Sequence, residues 1–371
     1  GTFTRSLTEL RDWLVSLGIT HVAMESTGVY WKPIHNVLEG YIPEVWIVNA
    51  RHVKNVPGRK TDKKDSEWLC QLLVAGLLKP SFIPPRAQRE LRDFTRYRRK
   101  LIDQQSANKN RIIRVLEDGN IKLSSVLTNT SGVTAERLIE LLCSGEPITL
   151  SAIEAIRSKR CHHSAEDMFE ACIGTMNEHK FYMLQELRRA NKQKAEEIAR
   201  MDAVIAQAVA PYQEVIERLC QIPGIQNRVC EELIAELGLD MSRFPSAKHL
   251  CKWAALCPGN NESAGKKMSS RTGHGNKYLR SILTEAAWAA SKTKNTFYSE
   301  RFTRIAVRRG VKRAQIAIGH SILKAIYEIL STGKSYHELG GMYVPQKKEK
   351  QRKEYLSQEL QKLGYKVTLT K

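Results

Sequence analysis

Three carboxylates and one serine carry the chemistry that this sequence offers. Asp62 and Asp65 stand three residues apart in Arg59-Lys60-Thr61-Asp62-Lys63-Lys64-Asp65, where a helix is expected to begin, so the two acids share a face. Glu25 follows the short apolar run His21-Val22-Ala23-Met24, and the C-terminal end of a strand is where open α/β sheets place their ligand sites. Carboxylates converging there would bind Mg²⁺, a hard cation that takes oxygen ligands and phosphate oxygens. Two such ions about 4 Å apart would clamp both oxygens of a phosphodiester displacement. A plainer reading stands beside this one: Thr61 caps the helix, and two acids in its first turn are favoured by the helix dipole.

The serine lies in Cys257-Pro258-Gly259-Asn260-Asn261-Glu262-Ser263-Ala264-Gly265-Lys266-Lys267, a loop of small and polar residues that runs on through Arg271 to Arg280. From 263 to 280 there are five basic residues and no acidic one. A serine hydroxyl is a weak nucleophile unless a base, a metal or cationic surroundings activate it. Ser263, between a glycine and the pair Lys266 and Lys267, has such surroundings; the alternative is a loop serine that contacts phosphate. Lys277 and Arg280, at the start of the next helix, read as phosphate contacts.

Charge extends the argument to the whole chain. The 371 residues carry 59 Lys+Arg against 39 Asp+Glu, a net charge of +20. Residues 81–114 contribute +7, 292–318 another +7 and 347–371 a further +5, so nearly all the excess sits in three stretches. That concentration is the footprint of a polyanion binder, because each neutralised phosphate releases condensed counterions. The alternative is a solvated basic surface. With 42% hydrophobic and 26% charged residues the chain is not mostly disordered. The longest near-apolar run, Trp68 to Leu78, is too short for a bilayer, which needs about 20 residues. No apolar run follows the first residues, so no signal peptide is expected.

These groups need elements to position them. Leu7, Leu10, Leu14 and Leu17 predict a helix ended by Gly18; His21–Met24 predicts a strand, Tyr30 to Leu38 a helix, Val45–Asn49 a second strand and Asp62 to Leu78 a helix. That order implies an α/β layer with a parallel strand pair. Residues 87–118 predict a long basic helix with Leu91, Phe94, Tyr97 and Leu101 on one face, and 120–178 read as helical and irregular. Leu184, Leu187, Asn191, Lys194, Ile198, Met201, Ile205 and Ala208 alternate spacings of three and four, a coiled-coil seam with two polar members. A helix packed within the chain explains the same pattern. After Pro211 a second helical domain is expected to about Tyr343. It opens with Leu219-Cys220-Gln221-Ile222-Pro223-Gly224-Ile225, a helix–hairpin–helix-like turn that would offer backbone N–H groups to phosphate. The last 25 residues read as a basic, polar tail. Eight cysteines form no C-x-x-C pair and imply reduced thiols. Cys161-His162-His163 with Cys172 suggests zinc only weakly, since adjacent histidines seldom point into one tetrahedral site.

Taken in order, Met24-Glu25-Ser26-Thr27-Gly28-Val29-Tyr30-Trp31, Arg59 to Asp65, Ile222-Pro223-Gly224-Ile225, Ser263-Ala264-Gly265 and Gly275-Asn276-Lys277-Tyr278-Leu279-Arg280 resemble the DEDD-type insertion-sequence transposases, relatives of the pilin-gene invertases. The resemblance covers most of the chain and is strongest at 20–80 and 215–330. It implies a RuvC-like, RNase H-fold nuclease domain with a coiled coil and a mainly helical transposase domain. The expected divisions are 1–118, RuvC-like with the long basic helix; 119–178, a helical extension; 179–212, coiled coil; 213–345, the transposase domain with the serine loop; and 346–371, the tail. One feature departs from the family: its first aspartate lies on an opening strand in an Asp-Val-His-like context, and this sequence shows no such strand. Asp12, on a predicted helix, does not replace it.

By the same resemblance the chain is an RNA-guided DNA recombinase, directed by a bridge RNA that pairs with target and donor DNA. Ser263 would be the nucleophile, forming a phosphoserine link. Glu25, Asp62 and Asp65 would hold Mg²⁺. Arg96, Arg98, Arg99, Arg308 and Arg309 are expected to join the lysines on phosphates, in a homodimer or homotetramer of the bacterial cytoplasm, at the nucleoid. Two other readings remain. In a Holliday-junction resolvase-like metal nuclease, water attacks and Ser263 is a bystander. A non-catalytic RNA- or DNA-binding protein would account for the missing aspartate.

Overall fold

Two short strands pair in parallel to start the first unit of the molecule. β1 (His21–Glu25) runs beside β2 (Glu44–Val48), in register from His21 opposite Glu44 to Glu25 opposite Val48. The computed structural model describes residues 1–49, 62–259, 261–263, 266–269, 272–273, 275–364 and 366–368, with backbone alone at 62–64, 261–263, 266–269, 344–345, 347–348 and 350–351. The basic loop expected around 56–60 lies outside the described residues. Two units follow, Gly1–Pro85 and Arg86–Lys371.

In the first unit α1 (Thr4–Ser16) packs against α2 (Trp31–Leu38) and buries Leu7, and Gly18, with φ of 64°, ends the chain's first turn out of the helix. α3 (Asp62–Val74) lies on β1, and β3 (Pro80–Ser81) pairs antiparallel with β2. The order β1-β2-β3 puts β2 in the centre, which explains why Ile47 and Val48 are buried while β1 is only half-buried. Pro80 sits on the edge strand, where the missing N–H costs no ladder bond. The parallel pair and the alternation of helix and strand agree with the expectation. The predicted helix to Leu78 stops at Val74, with Gly76 at φ of 66° behind it.

The second unit is helical. α4 (Arg86–Asp118) runs out, α5 (Leu123–Val126), α6 (Val133–Cys143), α7 (Leu150–Ile156) and α8 (Ala165–Cys172) form a small bundle, and α9 (Glu178–Val209) returns along α4. The two long helices are antiparallel: Ile112 and Leu116 share a core with Leu184, while Leu91 shares another with Ile205 and Val209. That second core is completed by α10 (Gln213–Cys220), α11 (Asn227–Leu237), α12 (Ala247–Trp253), α13 (Lys277–Lys292), α14 (Phe297–Arg309) and α15 (Val311–Thr332). Between α12 and α13, β4 (Asn261–Ser263) and β5 (Lys266–Ser269) make a hairpin, and α16 (Tyr343–Lys362) packs on α14.

Several placements differ from what was expected or refine it. The long basic helix packs with the second unit, because Leu91 enters its core, and the compact units divide at Pro85. On α4 the buried face is Leu91, Thr95, Arg98 and Leu101, whereas Phe94 and Tyr97 are exposed. The seam residues Leu184, Ile198 and Ile205 are buried, with α4 of the same chain packed along α9, which is the intramolecular reading of that pattern. The basic stretch 292–318 is helical, running from the end of α13 through α14 into α15 with a break at Gly310, and the C-terminal tail contains the helix α16.

Candidate active site and nucleic-acid surfaces

Glu25 is placed by a strand end and the turn after it. Ser26 N–H still donates to Val48 O at 2.9 Å, continuing the ladder one residue beyond β1. Thr27 N–H then donates to Glu25 O at 2.9 Å, and Gly28 adopts φ of 54°. The Thr27 hydroxyl donates to Glu25 Oε1 at 2.9 Å, so the half-buried carboxylate is oriented by the Ser-Thr-Gly segment that follows it. Asp65 is exposed in the first turn of α3, the helix that packs on β1, and Asp62 opens that helix. The side chain of Asp62 lies outside the described residues, and among the described ones no group of three His, Cys, Asp or Glu side chains could hold a metal ion. Glu25 and Asp65 offer carboxylate oxygens and no soft ligand, a donor set suited to a hard divalent cation.

Ser263 stands at the turn of a β-hairpin rather than in an irregular loop. Its backbone pairs with Lys266, Glu262 with Lys267 and Asn261 with Ser269. The ladder starts at a bridge between Pro258 and Thr272. Two-residue connections containing glycine are a hairpin signal, but strands of Asn, Glu, Lys and Ser lack the β-branched and aromatic residues by which strands are recognised. At the foot of the hairpin Arg280 Nη1 donates to Thr272 Oγ1 at 3.0 Å. A Cβ on Gly275 would lie 2.7 Å from Ala255 Cβ and Trp253 O, so the chain entering α13 runs flush against the end of α12. Asn276 caps α13, its Oδ1 accepting from Tyr278 N at 3.0 Å and Leu279 N at 3.2 Å. Lys277 and Arg280 are exposed on the first turn. The side chains of Ser263, Lys266 and Lys267 lie outside the described residues.

The arginines of α4 are committed elsewhere. Glu236 on α11, 2% exposed, accepts a bidentate pair from Arg96 at 2.7 and 2.9 Å and a further bond from Asn276 Nδ2. Arg92 donates to the backbone oxygens of Ala235 and Glu236 at 3.1 and 2.9 Å. Arg98 is 1% exposed, with Nη1 on Asp202 at 2.9 Å and on Glu231, and Nη2 3.6 Å from Glu232. Arg99 pairs with Glu285 and donates to Ser281 at 3.1 Å. Burial pushes the Glu232 carboxyl up despite the neighbouring Arg98 and Arg99, while the bond to Glu285 raises Arg99. Phosphate contact by Arg98 is therefore corrected: it is enclosed by carboxylates, and Arg96 and Arg99 are neutralised by Glu236 and Glu285. What the sequence reading missed is this acceptor set on α11 and α13; the acidic spacing Glu231, Glu232, Glu236 was its available signal.

Arg308 and Arg309 behave differently. They end α14 beside Gly310, and with Lys312 and Arg313 at the start of α15 they form an exposed corner, without an ion pair among the described residues. The Pro223-Gly224 turn joins α10 and α11, as the helix–hairpin–helix-like pattern predicts, and also has a packing role. Gly224, with φ of 86°, packs on α13: a Cβ there would lie 2.4 Å from Ala286 O and 2.6 Å from Ala290 N. Its glycine is required by close packing.

Comparison with known proteins gives two family matches. Residues 2–121 match the DEDD transposase model of the IS110 type, and residues 216–301 match the model described as "Transposase IS116/IS110/IS902 family". The chain is similar to the pilin gene-inverting protein of Moraxella bovis, 30% identical over 149 residues, covering 38% of this chain and 46% of that protein. A pilin gene-inverting protein of Moraxella lacunata is 31% identical over 122 residues, covering 32% of this chain and 37% of the relative. Each match thus spans less than half of the relative's length.

Proposed function

This chain belongs to the IS110 family of transposases, and from that premise we propose that it is a DNA recombinase whose strand transfer proceeds through Ser263. The observation that carries the reading is the position of Ser263 at the end of a hairpin strand, paired with Lys266, inside the matched segment 216–301, with Lys277 and Arg280 exposed on the helix that follows. In this mechanism the serine oxygen attacks a scissile phosphorus, a phosphoserine ester forms, and the departing sugar oxygen takes a proton. Attack by a second strand's hydroxyl then breaks the ester and restores the serine. One phosphodiester is exchanged for another, so no energy-rich nucleotide is consumed.

Glu25, Asp62 and Asp65 would hold Mg²⁺, the DEDD domain being of an RNase H-like kind. A bound Mg²⁺ would neutralise charge on the phosphate oxygens. The chain's own contribution is to orient Glu25 through Thr27, to set Lys266 across from Ser263, and to place Lys277, Arg280, Arg308 and Arg309 where phosphates can approach. Bridge-RNA guidance and assembly as a dimer or tetramer belong to the same reading: base pairing would choose the site while the protein holds backbone.

The test is covalent capture. Cells expressing the protein with its flanking DNA and RNA are lysed under denaturing conditions, and DNA attached to the protein is measured. Wild type is expected to retain DNA, Ser263→Ala none, and Asp65→Asn much less. Site-specific cleavage that persists in Ser263→Ala without an adduct would replace this mechanism with a metal nuclease using water.

A further inference from the structure

The small helical bundle between the two matched segments carries a cleft of its own. α5, the turn to α6 and the loop after α7 enclose about 910 Å³, and the walls hold no carboxylate. Arg157, half-buried, donates from Nε to His163 O at 2.8 Å and from Nη2 to Cys161 O at 3.1 Å, which pins the loop 158–163 against α7. Arg137 and Arg160 are exposed in the cleft and make no ion pair among the described residues. His162 and His163 are exposed beside them, with Asp167 behind His163 at 3.5 Å. Thr128 and Asn129 face the same space. The smaller pocket between α4, α11 and α13, about 250 Å³, differs in kind: Asp103, Glu232 and Glu236 line it and cancel Arg96 and Arg99.

We infer that this cleft binds a short single-stranded stretch of nucleic acid. Arg137 and Arg160 take its phosphates, and His162 and His163 stack on its bases. Uncancelled arginines select an anion. Exposed imidazole faces next to an amide and a hydroxyl match unstacked bases, which offer both a π-face and open hydrogen-bonding edges. A duplex is disfavoured, because it is read by elements that project into its grooves and a recess does not project. The same chemistry explains Cys161-His162-His163 without a metal. The site goes beyond the strand-transfer reading and stands without it: a chain that never forms a serine adduct still binds through this cleft.

The test measures binding of short single-stranded RNA, single-stranded DNA and duplex DNA to the full chain across a salt series. The double variant Arg137→Ala with Arg160→Ala is expected to weaken single-strand binding about tenfold and to lower the salt slope by about 1.4, or about 0.7 for each phosphate no longer neutralised. His162→Ala is expected to weaken it several-fold with the slope unchanged, as removal of a stacking face requires. A loss confined to RNA identifies RNA as the source and a loss confined to DNA identifies a separated DNA strand; either supports the site. Unchanged single-strand binding overturns it. So does an equal loss for duplex, or an equal loss in a charge-matched control, Arg189→Ala with Arg200→Ala on α9.

Discussion

Arginine does opposite work at two places in this molecule. Arg98 is enclosed by Asp202, Glu231 and Glu232, so truncation leaves several carboxylates in a partly desolvated site. Arg98→Ala is expected to destabilise the protein by about 3–5 kcal/mol, the usual cost of breaking a buried ion pair, read from denaturant melts. Arg308→Ala with Arg309→Ala is expected to leave melts within about 0.5 kcal/mol and to weaken DNA binding with a shallower salt slope. Both clusters look alike in the sequence. Their difference lies in acceptors far along the chain, such as Glu231, 133 residues from Arg98, which no local window links. Glu25 and the aspartates, by contrast, were legible as a strand end and a helix start, because those positions depend on neighbours in sequence.

At the scale of elements, two turns hold the helical core in shape. Gly224 meets the backbone of α13 while in a left-handed conformation, so Gly224→Ala adds backbone strain and a steric clash together. A loss of about 2–4 kcal/mol is expected, visible as a lowered melting temperature, and larger than at Gly310, where a Cβ would meet nothing. The strands at 21–25 and 44–48 and the long helix from 86 were readable from periodicity. The buried face of α4 was not. Phe94 and Tyr97 suited an apolar stripe, but Arg98 and Thr95 face the packing partners, because carboxylates on α9 and α11 pair with the guanidinium there. The hairpin bearing Ser263 was readable only as a polar loop, since its pairing is made by backbone and not by side chains typical of strands.

At the scale of the whole molecule, both hydrophobic cores are built from residues of the second unit alone, from Leu91 onward. A fragment of residues 86–371 is therefore expected to fold by itself and to melt cooperatively, as followed by circular dichroism; a non-cooperative melt would show that the first unit is required. Among the described residues no helix is long and apolar enough to cross a membrane. The antiparallel pair α4 and α9 has a further consequence. From Leu91 in one core to Leu116 in the other is about 38 Å of helix at 1.5 Å per residue. The pair is thus a spacer that sets the distance between the two cores, so that a residue inserted into one helix alone would put the two out of step.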